Sequence, residues 1–156
     1  MATTEARPLA PTAAELEVAL GEVDAVLAAV PAGDYRERLE LLRDELADGA
    51  VSEGAADELD RLIELALQSG RLRAIYGPGG EAAATRLYRR LPSGRDLVAS
   101  ASEVNDALGA LAGRTLEDVS LTVHGPGAFG LSLAVDGKEL TIRLDRSGVR
   151  VHSVGV

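Results

Sequence analysis

Residues that could bind an anion are concentrated between positions 71 and 90, where a glycine-rich run is flanked by arginines. The run 76–80 is predicted to be a loop, and a short helix is predicted from Glu81 to Leu91. Free backbone N–H groups at the start of such a helix attract phosphate or carboxylate groups. The candidate anion-binding residues are Arg71, Arg73, Gly79, Gly80, Arg86, Arg89 and Arg90.

The same segment has a structural interpretation, which we favour. The glycine run lacks the Gly-Lys-Ser/Thr of a P-loop and the GxGxxG spacing, and a helix rather than a strand precedes it. Glu81, in the first turn of the predicted helix, would repel an anion. The glycines would then allow close packing at a corner between helices, and the arginines would pair with acidic residues earlier in the chain.

A partial match to a calcium-binding loop lies between the second and third predicted helices. Asp44, Asp48 and Gly49 stand at positions 1, 5 and 6 of an EF-hand loop. Leu46 at position 3 and Ala55 at position 12 lack the side-chain oxygens that calcium requires. We therefore predict no metal ion here.

Four acidic residues align on one face of the third predicted helix. They lack the Glu-x-x-His units of di-metal carboxylate proteins. Arg61 lies one turn from one of them, a pairing typical of an exposed helix face. The pattern therefore predicts a solvated face. The four residues are Glu53, Asp57, Asp60 and Glu64.

The two histidines are predicted on the polar side of strands, His124 in the first strand and His152 in the last. Since the first and last strands of a meander are not neighbours, the two side chains are not expected to meet. A Ser–His–Asp group of Ser120, His124 and Asp145 lacks a nucleophile elbow. We predict no catalytic residue, no metal and no cofactor, and hence a chain that is not an enzyme.

Composition limits the partners. The 156 residues carry a net charge of −9 and include no Cys. The negative charge argues against nucleic acid and against an anionic membrane surface. No stretch reaches the roughly 18 uncharged apolar residues of a membrane-spanning helix, and no targeting segment is recognised. The expected partners are therefore proteins or small anions, and the expected location is the cytoplasm.

The charge is unevenly distributed along the chain. Residues 1–70 hold 16 acidic and 5 basic side chains, whereas residues 71–114 hold 4 acidic and 7 basic ones. Residues 115–156 hold 5 acidic and 4 basic side chains. The acidic front and the basic middle are expected to pair with each other, within or between chains, or to contact different partners.

The first predicted helix is the candidate protein interface. Thr12 and Glu15 form a capping-box pattern at its start, and apolar residues follow at alternating spacings of four and three, the heptad pattern. Val18 and Val26 lie outside this stripe, so the helix has two apolar sides, which favours an external partner. The predicted interface residues are Leu16, Leu20, Val23, Leu27 and Val30. A second helix from Asp34 repeats the spacing, and two heptads are fewer than a sustained coiled coil needs, so a hairpin within one chain is favoured over a dimer interface.

The third predicted helix begins near Ser52 and is expected to continue past Gly70 to Ile75, with a local weakness at the glycine. Residues 93–100 are predicted to be a connection, and a further helix is predicted from Ser102 to Leu111. These helices lie just before a change in the apolar pattern.

From Val119 onward the apolar period is two. Glycine-containing turns at 125–127, 136–137 and 147–148 separate four short apolar runs. This pattern predicts a four-stranded antiparallel meander with one apolar face, covered by the preceding helices. The predicted fold class is α+β, with an N-terminal helical hairpin or bundle followed by helices packed on the meander.

Three segments follow from these patterns: a flexible arm at 1–12, a helical module at 13–76 and an α+β module at 77–156, the last two forming one continuous domain in the alternative. The predicted function is that of a non-enzymatic protein-interaction or assembly module, which acts through its N-terminal helices on a protein partner or on another copy of itself. The alternative is binding or sensing of a small anion at 71–90.

Overall fold

Five helices precede four strands in the computed structural model, which describes residues 8–155. The helices are α1 (Ala13–Ala29), α2 (Asp34–Ala47), α3 (Glu53–Ser69), α4 (Leu72–Tyr88) and α5 (Pro92–Gly109). The strands are β1 (Leu116–Gly125), β2 (Ala128–Val135), β3 (Lys138–Asp145) and β4 (Gly148–Gly155). The architecture is α+β, as the sequence predicts.

The chain divides by its internal contacts into two compact units, Met1–Arg95 and Asp96–Val156, called unit 1 and unit 2 below. This division lies after Arg95, whereas the boundary predicted from the sequence, between 76 and 77, falls inside α4. Most of the arm predicted at 1–12 lies outside the described residues. Within its described part, Leu9 forms an isolated β-bridge with Val51.

The core of unit 1 is built around α1, which contacts α2, α3 and α4. The predicted capping box is present, because the Thr12 side chain accepts from the Glu15 backbone and Glu15 accepts from the Thr12 backbone. At the other end of α1, no basic residue lies in the last turn. Arg36 of α2 compensates by donating to the carbonyls of Leu27 and Val30 at 2.8 and 3.0 Å, which satisfies the orphan acceptors of the helix end.

The predicted start of α3 is confirmed, but its predicted continuation past Gly70 is wrong. Ser52 caps the first turn by accepting from the Ala55 backbone. Gly70 adopts a left-handed conformation with φ 69° and ends the helix after Ser69. Glycine adopts this conformation without the steric cost that other residues incur, which makes it the common residue at a helix end.

The loop predicted at 76–80 is also wrong, since α4 runs through this segment. Only Gly77 leaves the helical region, with φ 71° and ψ −177°, and it kinks the helix. Pro78 then opens the second helical segment, a position that tolerates proline because the missing N–H would have no partner in the helix. Gly79 and Gly80 are helical, so the glycine run is a one-residue kink.

Residues 93–100, predicted to be a connection, belong to α5. Pro92 opens this helix, and the Asp60 carboxylate accepts from the Ser93 backbone N–H at 2.8 Å. A residue from α3 therefore supplies the cap that the local sequence lacks.

In unit 2 the four strands form an antiparallel meander in the order β1-β2-β3-β4, as predicted. Val104, Ala107 and Leu111, on α5 and the turn that follows it, pack on the apolar face of the sheet around Leu140 and Ile142. The β2–β3 turn has positive φ at both Asp136 (49°) and Gly137 (72°), the conformation that suits the twist of a two-residue hairpin.

Candidate functional site

The first part of the predicted anion site is occupied by a carboxylate of the same unit. Arg71 forms an ion pair with Glu22 of α1, whose side chain is only 1% exposed. The other oxygen of Glu22 accepts from the Tyr76 hydroxyl at 3.2 Å. Burial and the nearby charge of Glu22 raise the pKa of Tyr76 above its ordinary value. Arg71 thus neutralises a buried internal anion.

The far end of the segment has the same arrangement. Arg90 donates to Glu15 at 2.9 Å and to the Ala10 carbonyl at 2.8 Å. The Glu15 side chain is 2% exposed and also accepts from the Thr12 backbone. Arg90 therefore joins the end of α4 to the first turn of α1.

The remaining predicted anion-binding residues do not gather at one point. Arg71 precedes α4 and Arg90 follows it, so the length of the helix, roughly 25 Å, lies between their backbones. Arg73 lies 3.9 Å from Glu81 and is mostly exposed. Arg86 and Arg89 are exposed and make no ion pair within residues 8–155. Anion binding at this segment stays a prediction.

The glycines of this segment allow close packing around Tyr76. A Cβ on Gly80 would collide with the Tyr76 Cβ and would lie 3.5 Å from Val18. A Cβ on Gly21 of α1 would collide with the Tyr76 hydroxyl. By contrast, Gly79 has no atom within 4 Å of its Cβ position. The Tyr76 ring is thus held between glycines of two helices.

The predicted interface stripe of α1 lies in the core of its own unit. Val23 and Leu27 are buried, and Leu16 and Leu20 are partly buried against the same cluster. Val30 is half-buried at the end of the helix. The second apolar stripe is internal as well, because Val18 is buried and Val26 packs against the cluster. Both apolar sides of α1 are covered within the chain.

Two buried carboxylates of α1 were not predicted to be buried. Glu15 and Glu22 are seven residues apart and therefore lie on the same helix face. That heptad spacing, next to Leu16 and Val23 of the apolar stripe, is the signal that could have placed them inside. The solvated face predicted for the α3 carboxylates is wrong at Asp60, which is 5% exposed and caps α5.

The other polar groupings stay apart. His124 and His152 are exposed, and they lie on the two opposite edge strands of the sheet. Asp145 is held in the β3–β4 turn by Ser147, Arg143 and Arg150. Among residues 8–155, no group of three or more His, Cys, Asp or Glu side chains could hold a metal ion.

The largest departure from expectation is on the sheet, where apolar side chains of β1 are exposed. Val119, Leu121 and Val123 alternate along the strand and are 50%, 66% and 69% exposed. They lie on the apolar face of the sheet, beside Leu133, Leu131 and Phe129 of β2 in register. Since α5 covers the face around β3, the β1 side of the face carries no cover within unit 2. We call these three residues and Phe129 the β1 patch.

A second apolar feature of unit 2 is a recess. It encloses about 210 Å³ between the end of α5 and β3–β4, where Leu111, Leu140 and Val154 form its walls and Arg114 and Lys138 its rim. Pockets for small ligands usually enclose about 300–1,000 Å³. The recess is therefore below the usual size of a small-ligand pocket.

No family model, curated protein or solved structure matches this chain significantly. No helix within residues 8–155 has the length and apolar character needed to cross a membrane.

Proposed function

We propose that this chain is a non-enzymatic protein-interaction module and that the β1 patch is its contact surface. The observation that carries the proposal is the run of Val119, Leu121 and Val123 at 50–69% exposure on one face of an edge strand. A contiguous apolar patch in contact with water is costly and typically marks an interaction site.

The same interaction class was expected from the N-terminal helices, and the proposal keeps the class while changing the surface. The apolar stripes of α1 are covered by neighbouring helices. Within unit 2 the β1 patch has no such cover, and its strand lies at the edge of the sheet. An apolar patch next to an open edge offers a partner both side-chain burial and backbone hydrogen bonds.

A pair of matched lysine variants tests this proposal. Leu121 in β1 and Leu65 in α3 are equally exposed, at 66% each. With wild type, Leu121→Lys and Leu65→Lys as baits, we expect the Leu121→Lys bait to retain at least about tenfold less of a specific partner, because a charge at the centre of an apolar contact removes a hot spot. The Leu65→Lys bait is expected to match wild type. Equal recovery of lysate proteins and of a separately tagged copy of the chain by all three baits, or recovery of neither above background, would contradict the proposal.

A further inference from the structure

We propose that β1 pairs antiparallel with β1 of a second copy of this chain, about a two-fold axis at Leu121. The inference rests on the proposed function, because it names the partner of the β1 patch. The pairing would join two four-stranded sheets into one continuous sheet of eight strands, with closed two-fold symmetry of the kind most common among homo-oligomers.

The outer edge of β1 is open to pairing. In the sheet order β1-β2-β3-β4 this strand has a neighbour on one side only. Register irregularities lie between Leu116 and Asp118 and between Val123 and Gly125, so residues 118–123 form a regular segment. Edge strands usually carry a charge, a proline or a bulge that blocks pairing. The stretch 119–123 has none of the three.

The side chains of β1 fix the register. Because successive side chains alternate between faces, a symmetric pairing keeps the apolar faces together only when odd positions lie opposite odd positions. Only the register with Leu121 opposite Leu121 of the second copy also places Val119 opposite Val123, so that all three exposed apolar residues have apolar partners. Ser120 then lies opposite Thr122. Each exposed apolar side chain then gains an apolar neighbour on the side that faces water in the single chain.

The opposite face of the sheet is compatible with the same register. Asp118 of one copy lies opposite His124 of the other, and the two copies of Asp118 are offset by six residues, about 20 Å. Like charges directly opposite each other would destabilise the pair, and this register avoids that cost.

Cysteine cross-linking tests the register directly. Since the chain has no Cys, each introduced thiol reports a single position. Leu121→Cys is expected to form a disulfide dimer under mild oxidation, because directly opposite Cα atoms lie within disulfide range, about 4.4–6.8 Å. Val119→Cys is expected to cross-link at least about tenfold less by itself, since its copies would be offset by four residues, about 13 Å.

A mixture of Val119→Cys and Val123→Cys is expected to restore the cross-link, because those two positions are opposite in this register. Leu65→Cys, equally exposed in α3, measures random collision. Cross-linking of Leu121→Cys no greater than that of Leu65→Cys, or equal cross-linking of Leu121→Cys and Val119→Cys alone, would overturn the inference.

The molecular mass of the wild-type protein in solution distinguishes self-pairing from the proposed function. Sedimentation between about 10 μM and 1 mM covers the range in which interfaces of modest area associate. A dimer fraction that rises with concentration, and is lost in Leu121→Lys but kept in Leu65→Lys, supports self-pairing. If the protein stays monomeric at every concentration and the Leu121→Lys bait still loses a partner, self-pairing is overturned but the proposed function is not. If the protein stays monomeric and all three baits behave alike, both self-pairing and the proposed function are overturned.

Discussion

Glu22 is the carboxylate whose surroundings distinguish α1 from an ordinary surface helix. It is buried, and Arg71 and Tyr76 are its two side-chain partners. Arg71→Ala would leave this charge without its cation, so we expect a loss of about 2 kcal/mol in the free energy of unfolding. Arg73→Ala is the matched control. Its side chain is 68% exposed and lies 3.9 Å from Glu81, so we expect a loss below about 0.5 kcal/mol.

Urea titration measures both variants, and an unchanged slope together with a shifted midpoint attributes the loss to stability. Equal urea midpoints for Arg71→Ala and Arg73→Ala would show that Arg71 does not compensate the charge of the buried Glu22.

Asp145 is the residue at which the structure predicts a pH dependence. Hydrogen bonds from the Ser147 hydroxyl, Arg150 and the Ser147 backbone hold its pKa well below the ordinary aspartate value. The carboxylate therefore adds stability that is present above the ordinary pKa and is lost as pH falls through the lowered one. By ¹³C carboxyl NMR we expect Asp145 to remain ionised at about pH 3. Ser147→Ala is expected to raise its titration midpoint, and an unchanged midpoint would exclude the hydroxyl as the cause.

At the scale of elements, α4 shows how neighbouring glycines differ in their roles. Gly80 lies against Tyr76 and Val18, whereas Gly79 is exposed and has free space around it. We expect Gly80→Ala to cost about 1–3 kcal/mol through overpacking. Gly79→Ala is expected to be neutral or to stabilise by up to about 1 kcal/mol, because alanine favours the helix. Thermal unfolding compares the two, and a Gly80→Ala variant as stable as wild type would contradict the packing around Tyr76.

The elements that could be predicted from the sequence are those with a local cause. Thr12 with Glu15 and Ser52 specify helix starts, and the period-two pattern with glycine turns specifies the meander. The errors arise where a residue acts on a distant segment. Asp60 caps α5 from α3, and a run that contains Gly77 and Pro78 continues as helix with a single kink because the segments on either side pack in unit 1.

The candidate site was less predictable than the fold. Alternation along β1 indicates an apolar face, but the sequence pattern is the same for a covered and an uncovered strand. Only the position of α5 over β3 shows that Val119, Leu121 and Val123 remain exposed. The heptad stripe of α1 is likewise the same for a core contact and for an interface between chains.

At the scale of the whole molecule, the uneven charge has an internal explanation. The acidic front and the basic middle meet through the pairs Glu22–Arg71 and Glu15–Arg90 in unit 1. These pairs join α1 to both ends of α4, so the charge pattern stabilises the helical unit. The surface that we propose for recognition is instead apolar, and it lies on the sheet of unit 2.

The comparison of Leu121→Lys with Leu65→Lys tests the central claim most directly, because the two leucines are equally exposed and only one lies in the β1 patch. We predict that a bound protein, whether a second copy or another chain, is retained by wild type and by Leu65→Lys. With Leu121→Lys its recovery should fall at least about tenfold. Equal binding by Leu121→Lys and wild type would contradict the claim that the β1 patch is the interaction surface.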